Sequence, residues 1–318
     1  MFWPVMLSQM LGWDYLSNMD MNKEFTSKLV QNKLGYWEVA NKPTETELEA
    51  YYAQKYYQDL KGAHQVKYSE TELACYEVKV SQRAAMIAQL FPELKSKKYL
   101  DVGCGEGFEL TYFQQQGWHV KGLDFSSDGM SKQNPGCLPF LQTGNVYELL
   151  NSEIESGRTY DVVWLQNVLE HVIEPEALLS QLLKLVTPQG CVVVTVPNDF
   201  SALQTEALNS DKISKPFWVA LPDHLSYFDA KSLRATVEAN GWDCKAVTAD
   251  FPIDWFLMNE HSNYVENPKA GKAAHHARVD IENLINQQST SAVLSFWIAL
   301  AEIGMGRNIS AFITPKMA

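Results

Sequence analysis

Cysteine is scarce and scattered: five in 318 residues, at positions 75, 104, 137, 191 and 244, with no pair in Cys-x-x-Cys spacing. That spacing argues against a structural zinc module, and the sparse usage fits a reducing cytoplasm. Basic residues are also short, 26 against 38 acids, and the net charge of −12 argues against a broad nucleic-acid surface. No stretch has the length and apolarity of a membrane span. The apolar start, Met1-Phe-Trp-Pro-Val-Met-Leu7, has no basic n-region, because the first positive charge is Lys23, so it does not read as a signal peptide. Internal repeats and low-complexity tracts are absent. What remains is a chain with ample apolar content for a large core.

Its chemistry-bearing features start at one glycine-rich run. Tyr99-Leu-Asp-Val-Gly-Cys-Gly-Glu-Gly107 reads Asp-x-Gly-x-Gly-x-Gly where an apolar strand should end and a helix from Phe108 should begin. Glycines at such a junction let the backbone turn sharply and approach a ligand with no Cβ in the way. A second strand, 118–123, ends at Asp124, where an acid can accept both hydroxyls of a ribose. The last glycine comes one residue too early for the dinucleotide fingerprint Gly-x-Gly-x-x-Gly.

Strand-like and helix-like segments then alternate. Strands are expected at 98–102, 118–123, 138–142, 160–165 and 190–196, and helices near 107–116, 126–133, 147–155 and 174–186. Such alternation implies a parallel sheet with helices on both faces. Ligands of these sheets bind beyond the carboxyl ends of the strands, so Gly103, Asp124, Asn145 and Gln166 should converge in space. Asp229 caps an expected helix through Ala239 that Gly241 stops, Trp242 to Ala249 reads as a sixth strand, and Asn308 to Thr314 as an antiparallel seventh.

The Asp101–Gly107 run resembles motif I of class I S-adenosylmethionine-dependent methyltransferases, and later segments resemble the same family in order. Asn145-Val146 stands where the family contacts adenine; Tyr160-Asp-Val-Val-Trp-Leu165 resembles its fourth strand; Gln166-Asn-Val-Leu-Glu-His-Val172 is close to the Leu-Glu-His-Val signature of one subset. That subset includes sugar- and polysaccharide-associated enzymes and UbiG-like small-molecule methyltransferases. The resemblance spans roughly residues 80 to 250. It implies a Rossmann-like α/β fold with a seven-stranded, mostly parallel sheet, an N-terminal helical extension and a C-terminal helical cap. It also implies a cytoplasmic enzyme whose cofactor is S-adenosyl-L-methionine.

Four segments are expected on this basis: an arm or misplaced start (1–21), the helical extension (22–95), the cofactor-binding core (96–250), and the cap with the last strand (251–318). In the extension, Thr44-Glu-Thr-Glu47 is a capping box for a helix carrying Tyr56 and Tyr57, candidates to line the substrate pocket.

The resemblance assigns cofactor roles to Asp101, Gly103, Cys104, Gly105 and Gly107, to Asp124 for the ribose, to Phe125, Asn145 and Val146 around adenine, and to Gln166 and Asn167 at the methionine end. Cys104 also reads as a small buried side chain of the loop. No dense acid–histidine cluster for a metal is visible, so no metal is expected. The acceptor base is sought in His171 and His224, because imidazole titrates near neutral pH. Asp223, beside His224, could orient that ring, and Asp223-His-Leu-Ser-Tyr-Phe228 resembles a loop of sugar C-methyltransferases with an acid–histidine base. Tyr227, Lys272 and Arg278 are further substrate candidates, the two cations suiting a phosphate.

The expected activity is methyl transfer to a small polar acceptor, a sugar or nucleotide-sugar. The alternatives are O-methylation of a quinone-type or other aromatic molecule, and a non-catalytic subunit that keeps the cofactor fold. No nucleic-acid partner is expected, and monomer and homodimer both stay open.

Overall fold

The computed structural model describes residues 28–48, 50–51 and 67–316. Residues 1–21, Tyr56 and Tyr57 lie outside the described residues. Seven strands form the main sheet: β3 (Lys98–Val102), β4 (His119–Asp124), β5 (Leu141–Thr143), β6 (Tyr160–Gln166), β7 (Val186–Pro197), β9 (Trp242–Ala249) and β10 (Asn308–Pro315). Their order is β5-β4-β3-β6-β7-β10-β9, with β10 antiparallel to both neighbours and the other adjacent pairs parallel. Helices α1 (Glu70–Leu90), α2 (Phe108–Gln115), α3 (Asp128–Gln133), α4 (Val146–Glu155), α5 (Pro175–Leu182), α6 (Ala202–Asn209), α7 (Ala230–Ala239), α8 (Gly271–Ile285) and α9 (Thr290–Glu302) complete the fold. The central strands are buried on both faces, as Val162-Val-Trp-Leu165 and Cys191-Val-Val-Val194 show, all fully shielded from solvent. Near-continuous apolar runs of this kind belong in a parallel sheet covered on both sides.

Several boundaries follow local chemistry that was legible in advance. Thr44 and Glu47 form the expected capping box, the Thr44 N–H donating to Glu47 Oε2 at 2.8 Å and the Glu47 N–H to Thr44 Oγ1 at 3.3 Å. Asp229 Oδ1 accepts the Ser232 N–H at 2.7 Å and starts α7.

Other expectations need correction. The strand expected at 138–142 is pre-empted by a 3-10 turn, Pro135–Phe140, and only Leu141–Thr143 pairs. Pro135 and Pro139 lack the N–H that a ladder requires. β7 begins at Val186, earlier than the strand expected at 190–196; Val186 pairs with Tyr160 and Cys191 with Val162, leaving 187–190 as a bulge.

The stretch read as a helical extension also contains two strands, β1 (Leu29–Gln31) and β2 (Trp37–Val39). Gly35, at φ +94°, lies in the turn between them, and β2 pairs with β8 (Ser226–Tyr227) to make a second, three-stranded sheet. Strands this short carry no readable alternation. The helices expected to cap the site are placed by their contacts, α8 against α1 and α9 against β9 and α1.

Trp242 anchors one flank of the main core. It is fully buried, and its indole N–H donates to the Leu179 carbonyl at 3.2 Å. Trp242→Ala should cost about 3–5 kcal/mol in urea denaturation. A loss below about 1 kcal/mol would show that the site collapses around the smaller side chain.

Candidate active site

The loop after β3 is shaped by its glycines. Gly103, Gly105 and Gly107 have φ of +75°, +50° and +77°, a region that side-chain-bearing residues avoid. A Cβ on Gly103 would also lie 2.4 Å from Val168 Cγ2, whereas the Cβ position of Gly105 has nothing within 4 Å among the described residues. That face of the loop is an open cradle.

Asp124, at the tip of β4, ties the loop down. Its Oδ2 accepts the Gly105 N–H at 2.8 Å and its Oδ1 the Ser126 N–H at 2.9 Å. A carboxylate has about four acceptor sites, so one side chain can hold several donors. Cys104 is buried, which raises its thiol well above the ordinary value, and it fits the reading of a small core side chain.

Next to this cradle lies a set of charges that only partly follows the sequence expectation. Asp101 is buried, accepts the Tyr99 hydroxyl at 3.3 Å, and is pushed well up by burial and by the neighbouring Glu109 carboxylate. Glu109, in the first turn of α2, is also raised by its desolvation. Arg83, on α1, donates from Nη1 to Gln166 Oε1 at 2.8 Å, with its guanidinium 5.9 Å over the Trp164 ring.

Neither Glu109 nor Arg83 was a sequence candidate. The missed signal for Arg83 is its helical position, three and four residues from the buried Val80, Met86 and Ile87. A cation on an apolar face needs a partner. Asn167, at φ +53°, turns the chain after β6 and donates its N–H to the Thr195 carbonyl at 2.8 Å.

On the opposite side of the loop, Phe125 stands at the rim with 42% of its surface exposed, and Val146 packs against the main core. Asn145 acts as the N-cap of α4, its Oδ1 accepting the N–H groups of Tyr147 and Glu148 at 2.9 and 3.3 Å. This local turn role competes for the oxygen of a residue expected to read adenine.

The two histidines come together, with ring centroids 4.8 Å apart and nearly perpendicular. Asp223, the sequence neighbour of His224, also reaches His171. His171 Nδ1 lies 2.8 Å from the Asp223 carbonyl oxygen and 3.8 Å from its Oδ1. A carbonyl only accepts, so the neutral ring carries its proton on Nδ1 and presents a lone pair at Nε2.

Nε2 lies 3.9 Å from Glu170 Oε1. Glu170 is 1% exposed, and burial, reinforced by Asp199 and Asp223, raises it to about 8. The expectation of no acid–histidine cluster is corrected here. Glu170, His171 and His224 each offer a ligand atom, all within 4.8 Å of one another, a grouping that sequence distance conceals.

Of the remaining substrate candidates, Tyr227 touches this centre, its ring centroid 6.1 Å from that of His224, whereas Lys272 and Arg278 lie on α8. Tyr227 is buried in β8, and its hydroxyl donates to the His224 carbonyl at 3.0 Å, so it fastens the loop. Arg278 donates to Glu282 Oε2 at 2.7 Å and to His275 Nδ1 at 3.3 Å, on the α8 face turned toward α1. Lys272 lies in the first turn of the same helix.

The Glu170 shift has a testable sign. A carboxyl raised from about 4.5 to about 8 binds its proton more tightly in the folded state. Its contribution is therefore complete below about pH 4.5 and is lost as pH rises toward 8. At about 1.4 kcal/mol per pH unit, Glu170→Gln should gain roughly 2–3 kcal/mol on wild type between pH 6 and pH 9 in urea unfolding. Parallel pH profiles for the two proteins would contradict the shift.

Residues 79–247, more than half of the chain, match the family described as a methyltransferase domain. A ubiquinone biosynthesis O-methyltransferase of Vibrio atlanticus is 31% identical over 137 residues, 41% of this chain and 56% of that protein. Its namesake from Aliivibrio fischeri (strain MJ11) is 36% identical over 110 residues, 33% of this chain and 46% of that protein. The chain thus spans about half the length of the curated relatives it matches. A solved S-adenosylmethionine-dependent methyltransferase from Archaeoglobus fulgidus aligns at 18% identity and a TM-score of 0.47, covering 84% of this chain and 99% of that one. The chain belongs to the methyltransferase-domain family.

Proposed function

We propose that this protein methylates a hydroxyl group of a small, non-phosphorylated acceptor, with His171 as the base. The single observation that carries the reading is the Asp223 carbonyl on His171 Nδ1, which leaves Nε2 as the proton-accepting atom beside the tip of β6.

The cradle fits S-adenosylmethionine by its own chemistry. The open side of Gly105 admits a ligand to the backbone, and Asp124 offers acceptors to ribose hydroxyls. Asp101 and Glu109 suit the ammonium of a methionine group, and Arg83 suits its carboxylate. Bound there, the cofactor supplies a methyl group already activated by its sulfonium charge. The chain's own work is to orient the acceptor, exclude water and take a proton at His171 Nε2. His224, edge-on to His171, and the Asp223 carbonyl hold that ring in place.

Oxygen as the methylated atom is supported by the names of the sequence relatives, which are O-methyltransferases. An aromatic hydroxyl is better supported than a nucleotide-sugar. The reading of a phosphorylated acceptor leaned on Lys272 and Arg278, and Arg278 is committed to Glu282 and His275. The small sheet also places Trp37, Phe200, Phe217 and Trp218 in an aromatic lobe beside the loop that carries His224.

Two measurements test the assignment. Asp124→Ala should weaken S-adenosylhomocysteine binding by more than about tenfold, or ~1.4 kcal/mol, in calorimetry; unchanged affinity would remove Asp124 from the ribose site. His171→Ala should lower kcat by about 10²–10⁴-fold while leaving S-adenosylhomocysteine affinity within about threefold. A fully active variant, or wild-type activity that a chelator abolishes and a divalent cation restores, would end the role of His171 as the base.

A further inference from the structure

Behind His171 the structure holds a group of buried polar atoms that the methyl-transfer reading does not use. Glu170 Oε1 and Oε2, Asp199 Oδ2, Ser226 Oγ and Trp218 Nε1 have no hydrogen-bond partner among the described residues. The four residues are each 1% exposed or less. Orphaned polar atoms are rare in folded proteins and call for a ligand or water to satisfy them.

These atoms belong to segments stitched together by the backbone. The Glu170 carbonyl accepts the N–H groups of Leu225 and Ser226 at 2.7 and 3.1 Å, and the Phe228 carbonyl accepts the Asp199 N–H at 2.8 Å. Strand β8 is thus held between the tips of β6 and β7. Asp199 is fixed from one side only: its Oδ1 accepts from Arg307 Nη1 at 3.0 Å, while Oδ2 is left over. Trp218 meets the Phe200 ring at 5.5 Å, next in the chain to Asp199.

The inventory is lopsided. The unpaired atoms are three carboxyl oxygens, one indole N–H and one hydroxyl that can serve either way. A group that donates hydrogen bonds would satisfy Asp199 Oδ2 and the Glu170 oxygen that carries no proton, whereas a phosphate, carboxylate or ketone would leave Asp199 Oδ2 unpaired.

We propose that Asp199 and Glu170 form a recognition site for a hydrogen-bond-donating substituent of the acceptor, a hydroxyl or an amine separate from the group that is methylated. This inference rests on the proposed function, because it places the acceptor's reacting end at His171. Asp199 then decides specificity: its pairing with Arg307 aims the second oxygen at the substituent.

The test uses the full chain loaded with S-adenosylhomocysteine, in EDTA, with binding read by calorimetry. The probes are benzenediols and their mono- and dimethyl ethers, which share a ring and differ in donors, together with methyl glucoside and its fully O-methylated form. The diols should bind at least about tenfold more tightly than the diethers. Asp199→Asn should reduce that preference to below about threefold, with S-adenosylhomocysteine affinity unchanged. Glu170→Gln supplies a second variant if the first does not fold.

Diethers that match diols in the wild type would overturn the proposal, as would a preference surviving in both variants or one that appears only when a divalent cation is added. Binding of methyl glucoside over its ether, with no ring compound bound, would keep the donor site and remove the aromatic acceptor. If no probe of either series binds, the recognition site is wrong.

Discussion

The Asp124 carboxylate on the Gly105 amide is the contact on which the site depends. It joins the tip of one strand to the loop of the next, and it does so at the edge where the sheet's connections diverge. The Gly103 N–H, donating to the Leu123 carbonyl at 2.7 Å, and the Asn134 amide, donating to the Glu106 carbonyl at 2.8 Å, hold the same loop from two further sides. Together these contacts leave a concavity whose open side lies at Gly105.

A second constraint is the concentration of carboxyl groups at the strand tips. Asp101, Glu109, Glu170 and Asp199 are all displaced upward, and desolvation is the largest cause in each. The last of these reaches about 6 even though Arg307 opposes the shift. Only Arg83 and Arg307 bring cationic partners into the same region by the contacts described above. A site of this character suits a sulfonium cofactor and disfavours an anionic acceptor. In the basic run near residue 272, Arg278 is engaged by Glu282 and His275.

The small sheet gives the loop at His224 its position. Tyr227 pairs with Trp37 across β2 and β8, and the Tyr227 hydroxyl holds the His224 carbonyl. Residues almost two hundred positions apart thereby set where the second histidine lies. The link from packing to chemistry runs through β1 and β2, whose three residues apiece carry no pattern of their own.

The sequence by itself determined the cofactor architecture, because its signals are local. A glycine run between an apolar strand and a helix, an acid at the next strand end, and capping residues such as Thr44 and Asp229 each act within a few residues. The alternating order then fixes a parallel sheet, whose tips must converge. Tertiary structure alone decided that Asp223 reaches His171, that Glu170 lies near both histidines, and that Arg83 reaches Gln166. Except for Glu170 beside His171, those contacts link residues more than 50 positions apart. Burial also depends on the assembled fold, and it is burial that moves Glu170 and Asp199 out of the ordinary carboxylate range.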